Sequence, residues 1–217
     1  MKGDPAMTIR IGDKVPNFKA QTTEGAIDFY NWMGKSWVLL ISHPADFTPV
    51  CTTELAHVAR MKSEFESRGV KVLGLSVNTL QDHREWVEDI ERTLGVKLNF
   101  PVIADPKRRV ADMFDMIQGN GNMATTGRSA LIIDSDKKVR LIIIYPESTG
   151  RNFDEILRTV DSLKLTSEYG LATPANWVPG EEAIILPDIT DDEAKMRYPQ
   201  GWTEHNRYLR MVADPVN

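Results

Sequence analysis

The chain of 217 residues contains a single cysteine, Cys51. That scarcity excludes a disulfide within the chain and argues against a structural zinc site, which needs several clustered ligands. An intermolecular disulfide, an inert buried thiol and a reactive thiol remain open. Long apolar runs are also missing. No stretch approaches the ~20 residues of a membrane span, and Met1-Lys2-Gly3-Asp4-Pro5-Ala6-Met7 has no apolar segment of signal-peptide length. The expected location is therefore the cytoplasm. Basic runs and aromatic–basic stripes are absent as well, and a formal charge of -5 gives no bulk attraction to nucleic acid. Internal repeats and low-complexity tracts are not found. What is present, 41% hydrophobic and 26% charged residues, is the composition of an ordinary globular protein with a sizeable core.

Short β-branched runs alternate with longer amphipathic segments. Trp37–Ile41 and Val70–Val77 read as buried strands. Leu55, Val58, Met61, Lys62 and Phe65 follow helical spacing up to Gly69, and a second helix is predicted over Asp82–Leu94. Phe100–Ala104 reads as a strand leading into a short helix near Val110–Phe114. Ala130–Ile133 and Val139–Ile144, joined by the polar turn Asp134–Lys138, predict a β-hairpin. Phe153, Ile156, Leu157, Val160 and Leu163 mark another helix. Strands alternating with helices indicate an α/β sheet covered on both faces, with the hairpin as an antiparallel edge. After about Leu165, prolines 174, 179, 187, 199 and 215 punctuate short segments and the periodicity fades. Trp177, Ile184–Leu186, Trp202 and Tyr208 nevertheless supply apolar surface that must be buried. The expectation is a main domain over 8–168 and a small C-terminal domain over 169–217, packed on a partner subunit or on the main domain.

The segment His43-Pro44-Ala45-Asp46-Phe47-Thr48-Pro49-Val50-Cys51-Thr52-Thr53-Glu54 follows a predicted strand and opens a predicted helix. Proline suits a first helical turn, where its missing N–H has no partner to lose. Cys51 then falls in that turn, where unpaired amides and the helix dipole favour an anion. A free thiol titrates near ~8.5, and helix N-termini or cations lower that value and generate the nucleophilic thiolate. A dithiol oxidoreductase is excluded, because Glu54 stands where Cys-x-x-Cys needs its second thiol. The bland alternative is a small buried hydrophobe.

Pro44-x-x-x-Thr48-x-x-Cys51 resembles the active-site signature of the peroxiredoxins (AhpC/TSA family), and Pro49–Glu54 is similar to the version in the one-cysteine, peroxiredoxin-6-like branch. The likeness continues through Ser42–Thr48, Tyr145-Pro146, Thr149–Arg158 and Ala172-Thr173-Pro174-x-x-Trp177. This resemblance implies a thioredoxin-like α/β fold with a mixed central sheet flanked by helices, and a C-terminal extension associated with a homodimer that admits a higher ring assembly. It implies no cofactor and no metal. It also implies that Cys51 attacks a hydroperoxide and becomes a sulfenic acid. The implied donors around the O–O bond are the Thr48 hydroxyl, the amides of Val50 and Cys51, and the Arg128 guanidinium, whose charge and planar fork suit the role. Pro44 would shield the thiolate from water. Glu54 would orient Arg128 or Arg151, and its charge opposes thiolate formation unless an arginine pairs with it. His43 has either a structural hydrogen-bonding role or a direct one. With no second cysteine, glutathione, another small reductant or a partner redox protein must complete the cycle.

Three rival readings compete with this one. A phospholipase A2 activity would need a Gly-x-Ser-x-Gly element, but Gly34-Lys35-Ser36-Trp37-Val38 lacks the second glycine, and Tyr30 occupies the place of the base, leaving only Asp136. A chaperone-like assembly is the stronger alternative of the two, although the nine methionines and five tryptophans are more often core residues than client-binding surface. Zinc binding by His43, Asp46, Cys51 and His57 is set aside, since Cys51 and His57 fall on different helix faces; His57 and His83 are read as surface or capping residues.

Overall fold

The computed structural model describes residues 9–119 and 125–216. The chain divides into two compact units, 1–151 and 152–217. The boundary anticipated after residue 168 lies at the far end of a helix that begins the second unit.

In the first unit the strands are β1 Lys19–Thr22, β2 Gly25–Asp28, β3 Trp37–Ser42, β4 Val70–Ser76, β5 Val102–Ala104, β6 Ile117–Gln118, β7 Thr125–Thr126, β8 Arg128–Ile133 and β9 Val139–Tyr145. The helices are α1 Phe29–Met33, α2 Pro49–Arg60, α3 Lys62–Ser67, α4 Leu80–Leu94 and α5 Arg109–Met113. Seven strands form one mixed sheet in the order β2-β1-β5-β4-β3-β8-β9, while β6 and β7 pair separately. β3, β4 and β5 run parallel, and the remaining neighbours are antiparallel. The continuous apolar run of β3 explains its central place. Val38 and Leu40 enter a core with Phe29, Leu73, Leu75, Ile103 and Leu131, and the alternate residues Leu39 and Ile41 are buried on the opposite face.

The predicted hairpin is β8–β9, with β9 at the sheet edge. The opposite edge is a second hairpin, β1–β2, that the sequence does not announce, because Lys19-Ala20-Gln21-Thr22 is short and barely alternates. The helix expected to run unbroken to Gly69 breaks at Met61 into α2 and α3. α4 starts before Asp82: Thr79 and Asp82 form a reciprocal capping box, each side chain bonding the other's backbone N–H.

The second unit opens with α6 Phe153–Tyr169, closed by Gly170 in the left-handed conformation (φ 65°). Where fading periodicity predicts irregular segments, the chain forms β10 Leu171–Ala172, β11 Ala183–Ile185, α7 Asp191–Arg197, β12 Thr203–Asn206 and β13 Leu209–Val212. These strands make a four-stranded antiparallel sheet in the order β10-β11-β13-β12. Its core gathers Leu165, Leu171, Trp177, Ala183, Ile185, Ile189 and Val212, and the Trp177 indole N–H donates to the Glu181 carbonyl at 3.0 Å. Strands of two to four residues carry too few alternations to register as a pattern, which is why the tryptophan was a better guide than the periodicity.

Candidate active site

β3 ends at Ser42 in the middle of the sheet, and the chain crosses from there to the start of α2. Phe47 takes a left-handed backbone (φ 55°), unusual for an aromatic residue, and turns the chain into the helix. Thr48 is the N-cap in extended conformation and Pro49 opens the helix, so Cys51 sits in the first turn. The Thr48 side chain does not cap α2; its hydroxyl donates to the Ala45 carbonyl at 2.9 Å. The first ladder bond runs from the Thr52 amide to the Thr48 carbonyl at 3.0 Å, so the Val50 and Cys51 amides lie ahead of the ladder. Thr48, Val50 and Pro44 are half-buried, and Cys51 is fully buried.

β8 brings Arg128 to the thiol. The buried Ser42 hydroxyl donates to the Gly127 carbonyl at 2.6 Å and accepts from the Ser129 amide at 3.1 Å, fixing the start of β8 against the end of β3. Arg128 Nη1 then lies 3.3 Å from Cys51 Sγ and 2.9 Å from Glu54 Oε2, while its Nε donates to the Glu147 carbonyl at 2.9 Å. Arg151 clamps the same carboxylate: Nε reaches Oε1 at 3.0 Å, Nη2 reaches Oε2 at 2.8 Å, and its amide donates to Oε1 at 2.7 Å. Arg151 Nη1 also donates to the Ser42 and Ser129 carbonyls at 2.9 and 2.7 Å. Burial alone would push the Glu54 carboxyl up, but the charge and hydrogen bonds of Arg151, with the charge of Arg128, hold it below its ordinary value. Two guanidinium ions thus face one carboxylate, and a thiolate at Cys51 would make the buried set neutral.

The reading of His83 requires a correction. His57 is exposed, as expected, but His83 is fully buried and is neither a surface nor a capping residue. It shares the inward face of α4 with Trp86 and Ile90, three and seven positions on, a spacing legible in the sequence but masked by the charged neighbours Asp82 and Arg84. His83 Nδ1 faces Asp46 Oδ2 at 2.6 Å, its Nε2 faces the Ile103 carbonyl at 3.1 Å, and His43 Nε2 faces Asp46 Oδ1 at 2.8 Å. Burial pushes the His43 pKa down, only partly opposed by Asp46. Burial would raise the Asp46 pKa, but the two imidazoles hold it below the usual carboxylate range. These three side chains are the candidate metal-ligating cluster among the described residues, with ligand atoms within 4.8 Å of one another. Their facing atoms are already spent on one another, so the cluster is organised as a hydrogen-bond chain.

The phospholipase alternative acquires no catalytic set. Ser36 lies in the turn before β3 with its amide on the Met33 carbonyl, the Tyr30 hydroxyl donates to the Val15 carbonyl, and Asp136 is exposed.

A mixed α/β sheet that delivers one buried thiol to a helix N-terminus beside an arginine defines a protein of thiol chemistry, with an environment built for an anionic sulfur. The sequence pattern of the AhpC/TSA family matches residues 11–142, and that of the C-terminal domain of 1-Cys peroxiredoxin matches residues 162–201. A 1-Cys peroxiredoxin of Dictyostelium discoideum is 49% identical over 207 residues, covering 95% of this chain and 86% of its own. Peroxiredoxin-6 of Mus musculus is 44% identical, covering 94% and 97%. Among solved structures, a cysteine-to-serine mutant of peroxiredoxin 6 from Arenicola marina superposes with a TM-score of 0.89 at 42% identity, covering 96% of this chain and all of that one. A yeast mitochondrial 1-Cys peroxiredoxin, solved for its thiol resolving mechanism via glutathione/thioredoxin systems, gives 0.89 at 45% identity, covering 95% and 100%. The chain belongs to the AhpC/TSA family, in its 1-Cys peroxiredoxin branch, and is a thiol-dependent peroxidase.

Among the described residues no helix is long and apolar enough to cross a membrane.

Proposed function

We propose that Cys51 is the residue that reduces hydroperoxides, hydrogen peroxide and organic hydroperoxides alike, and that an external thiol returns it to the reduced state. The observation that carries this reading is the 3.3 Å approach of Arg128 Nη1 to Cys51 Sγ at the open N-terminus of α2. The thiolate attacks the hydroxyl-bearing peroxide oxygen; the S–O bond forms as the O–O bond breaks, sulfur is oxidised to sulfenic acid, and the departing oxygen takes a proton and leaves as water or alcohol. Arg128 and the free amides of Val50 and Cys51 stabilise the negative charge that moves from sulfur to the leaving oxygen. Pro44 screens the sulfur, and Arg151 with Glu54 holds Arg128 in place. The first external thiol condenses with the sulfenic acid, releasing water and leaving a mixed disulfide, and a second thiol displaces Cys51. Glutathione or a redox protein fills that role in this reading, because the yeast relative is described with those systems and Cys51 is the chain's one thiol. A reduced thiol pool such as the cytoplasm's would supply it.

Mass spectrometry of the intact protein after one equivalent of peroxide tests the reading. One added oxygen on wild type, none on Cys51→Ser, and conversion to a mixed disulfide on adding glutathione are expected. Equal peroxide turnover by Cys51→Ser would sink it.

We also propose a homodimer in solution, supported by β9, an edge strand whose Ile144 is 57% exposed.

A further inference from the structure

The chain His83–Asp46–His43 is buried, is continuous, and ends on an atom without a partner. Asp46, between the two imidazoles, accepts at Oδ1 from His43 Nε2–H and at Oδ2 from His83 Nδ1–H. Neutral His43 then has its one proton on Nε2, and its other ring nitrogen, Nδ1, is a bare lone pair. That Nδ1 atom is buried with no hydrogen-bond partner. The other such atom among the described residues, Arg210 Nε, is a donor in the second unit. His43 Nδ1 is therefore the one unpartnered side-chain acceptor in this buried set, and such an atom costs stability unless something uses it.

The surroundings tie the His43 residue to the thiol site. His43 directly follows Ser42, whose carbonyl accepts from Arg151, and the charge of Arg151 is felt at the His43 ring. Thr126 Oγ1 holds the His43 carbonyl, and the Trp86 ring lies 5.0 Å from the His43 ring while its Nε1 donates to Thr52 Oγ1 on α2 at 3.1 Å. A hydroperoxide entering a buried site brings an O–H donor that has lost its water partners and needs an acceptor. The Thr48 hydroxyl, with its own proton on Ala45, offers a lone pair from α2. His43 Nδ1 is a second buried lone pair, on the residue that directly follows β3.

Resting on the peroxidase reading above, we propose that Asp46 and His83 are positioning residues that lock His43 in its Nε2–H tautomer, so that Nδ1 is a fixed hydrogen-bond acceptor for the peroxide hydroxyl. An Asn at position 46 can turn its amide N–H toward His43, which moves the ring proton to Nδ1 and makes it a donor facing a donor. The loss belongs to peroxide recognition and not to the sulfur's own reactivity.

The test compares wild type, Asp46→Asn and His83→Gln in two reactions at Cys51, stopped-flow oxidation by hydrogen peroxide and alkylation by iodoacetamide. Peroxide oxidation should slow at least about tenfold in Asp46→Asn, the worth of roughly one buried hydrogen bond, while alkylation stays within about threefold, since it reports the thiolate alone. His83→Gln should show the same split at smaller amplitude. Nitrogen-15 NMR of the wild-type histidines, which needs no variant to fold, should find His43 protonated at Nε2 and bare at Nδ1. Equal slowing of both reactions, an unchanged peroxide rate in Asp46→Asn, or His43 protonated at Nδ1 in the wild type would overturn the proposal and leave the peroxidase reading standing. A wild-type protein inert to peroxide would overturn both.

Discussion

Glu54 carries a fixed negative charge next to a sulfur that must also become negative, and the two arginines are what make that tolerable. Removing the carboxylate strands two buried guanidinium ions, a loss on the order of 3–5 kcal/mol for a broken buried pair. Glu54→Ala should therefore lower the urea midpoint steeply, and Glu54→Gln, which keeps acceptor geometry on one oxygen, should cost less. Arg128 touches sulfur, carboxylate and the Glu147 carbonyl at once. Arg128→Ala should cut the peroxide rate at least about tenfold with the fold retained, read by stopped flow and circular dichroism. At Thr48 the proposed reading makes the oxygen the working part: the hydroxyl proton lies on the Ala45 carbonyl, which leaves its lone pairs for the peroxide. Thr48→Val should then harm the rate more than Thr48→Ser. The same buried groups fix the pH response. His43 titrates below its ordinary 6.5, so as pH falls through that value the unfolded chain takes up a proton that the native chain refuses. Stability is full above about 6.5 and declines below it. Glu54 and Asp46, depressed from 4.5 and 3.8, add a second loss as pH falls below those ordinary values. Urea midpoints at neutral, mildly acidic and acidic pH should show both limbs, and His43→Gln should flatten the upper one.

The first turn of α2 does two incompatible jobs. It buries Cys51 completely, which favours attack on a small peroxide in a dry site, yet the same burial denies the sulfur to a tripeptide-sized reductant. The turn must therefore loosen between the two half-reactions, a local opening costing less than global unfolding. The Trp86 Nε1 bond to Thr52 ties that turn to α4 at 3.1 Å, and Phe47 holds its entry in a strained left-handed backbone. Trp86→Phe keeps an aromatic ring at the position and deletes the bond, so mixed-disulfide formation between peroxide-treated protein and glutathione should accelerate, by about two- to tenfold for one hydrogen bond. Mass spectrometry over time measures it, and an unchanged rate would show that the turn does not open by parting from α4. This element was partly legible beforehand. Proline at the first helical position and one cysteine two residues on are local signals, and they placed the thiol correctly. Arg128 and Arg151 lie 77 and 97 residues from their partners Cys51 and Glu54, and no local pattern links such pairs; similarity to a family supplied the arginines, and only the fold supplied Glu54's double pairing. Asp46 stood beside His43 only in the discarded zinc reading, and nothing supplied its partner His83, because a buried histidine flanked by an aspartate and an arginine has the local look of a surface one.

At the scale of the whole chain, legibility followed segment length. β3, β4 and α4 are long or apolar enough for their periodicity to show, and the sheet's parallel centre follows from them. β1, β2 and the strands after Leu171 are two to four residues long, and what holds them is contact with distant partners, invisible to a local window. That difference bears on assembly. Among the described residues β9 leaves one side of its backbone unpaired along the run Leu141-Ile142-Ile143-Ile144-Tyr145, and the charge pair of Arg140 with Asp134 sits at its start, well away from Ile144. A free edge so apolar invites pairing with a second copy of itself, and proteins that stay monomeric commonly guard such edges with charge. Ile144→Lys should supply that guard: sedimentation at micromolar concentration is expected to give two chains per particle for wild type and one for the variant. Because Ile144 pairs with Ser129 at the root of β8, next to Arg128, the variant's single-turnover peroxide rate must be measured beside its mass. A monomer that oxidises at the wild-type rate would assign the edge to assembly alone, whereas a dimer that survives the lysine would move the interface to another surface.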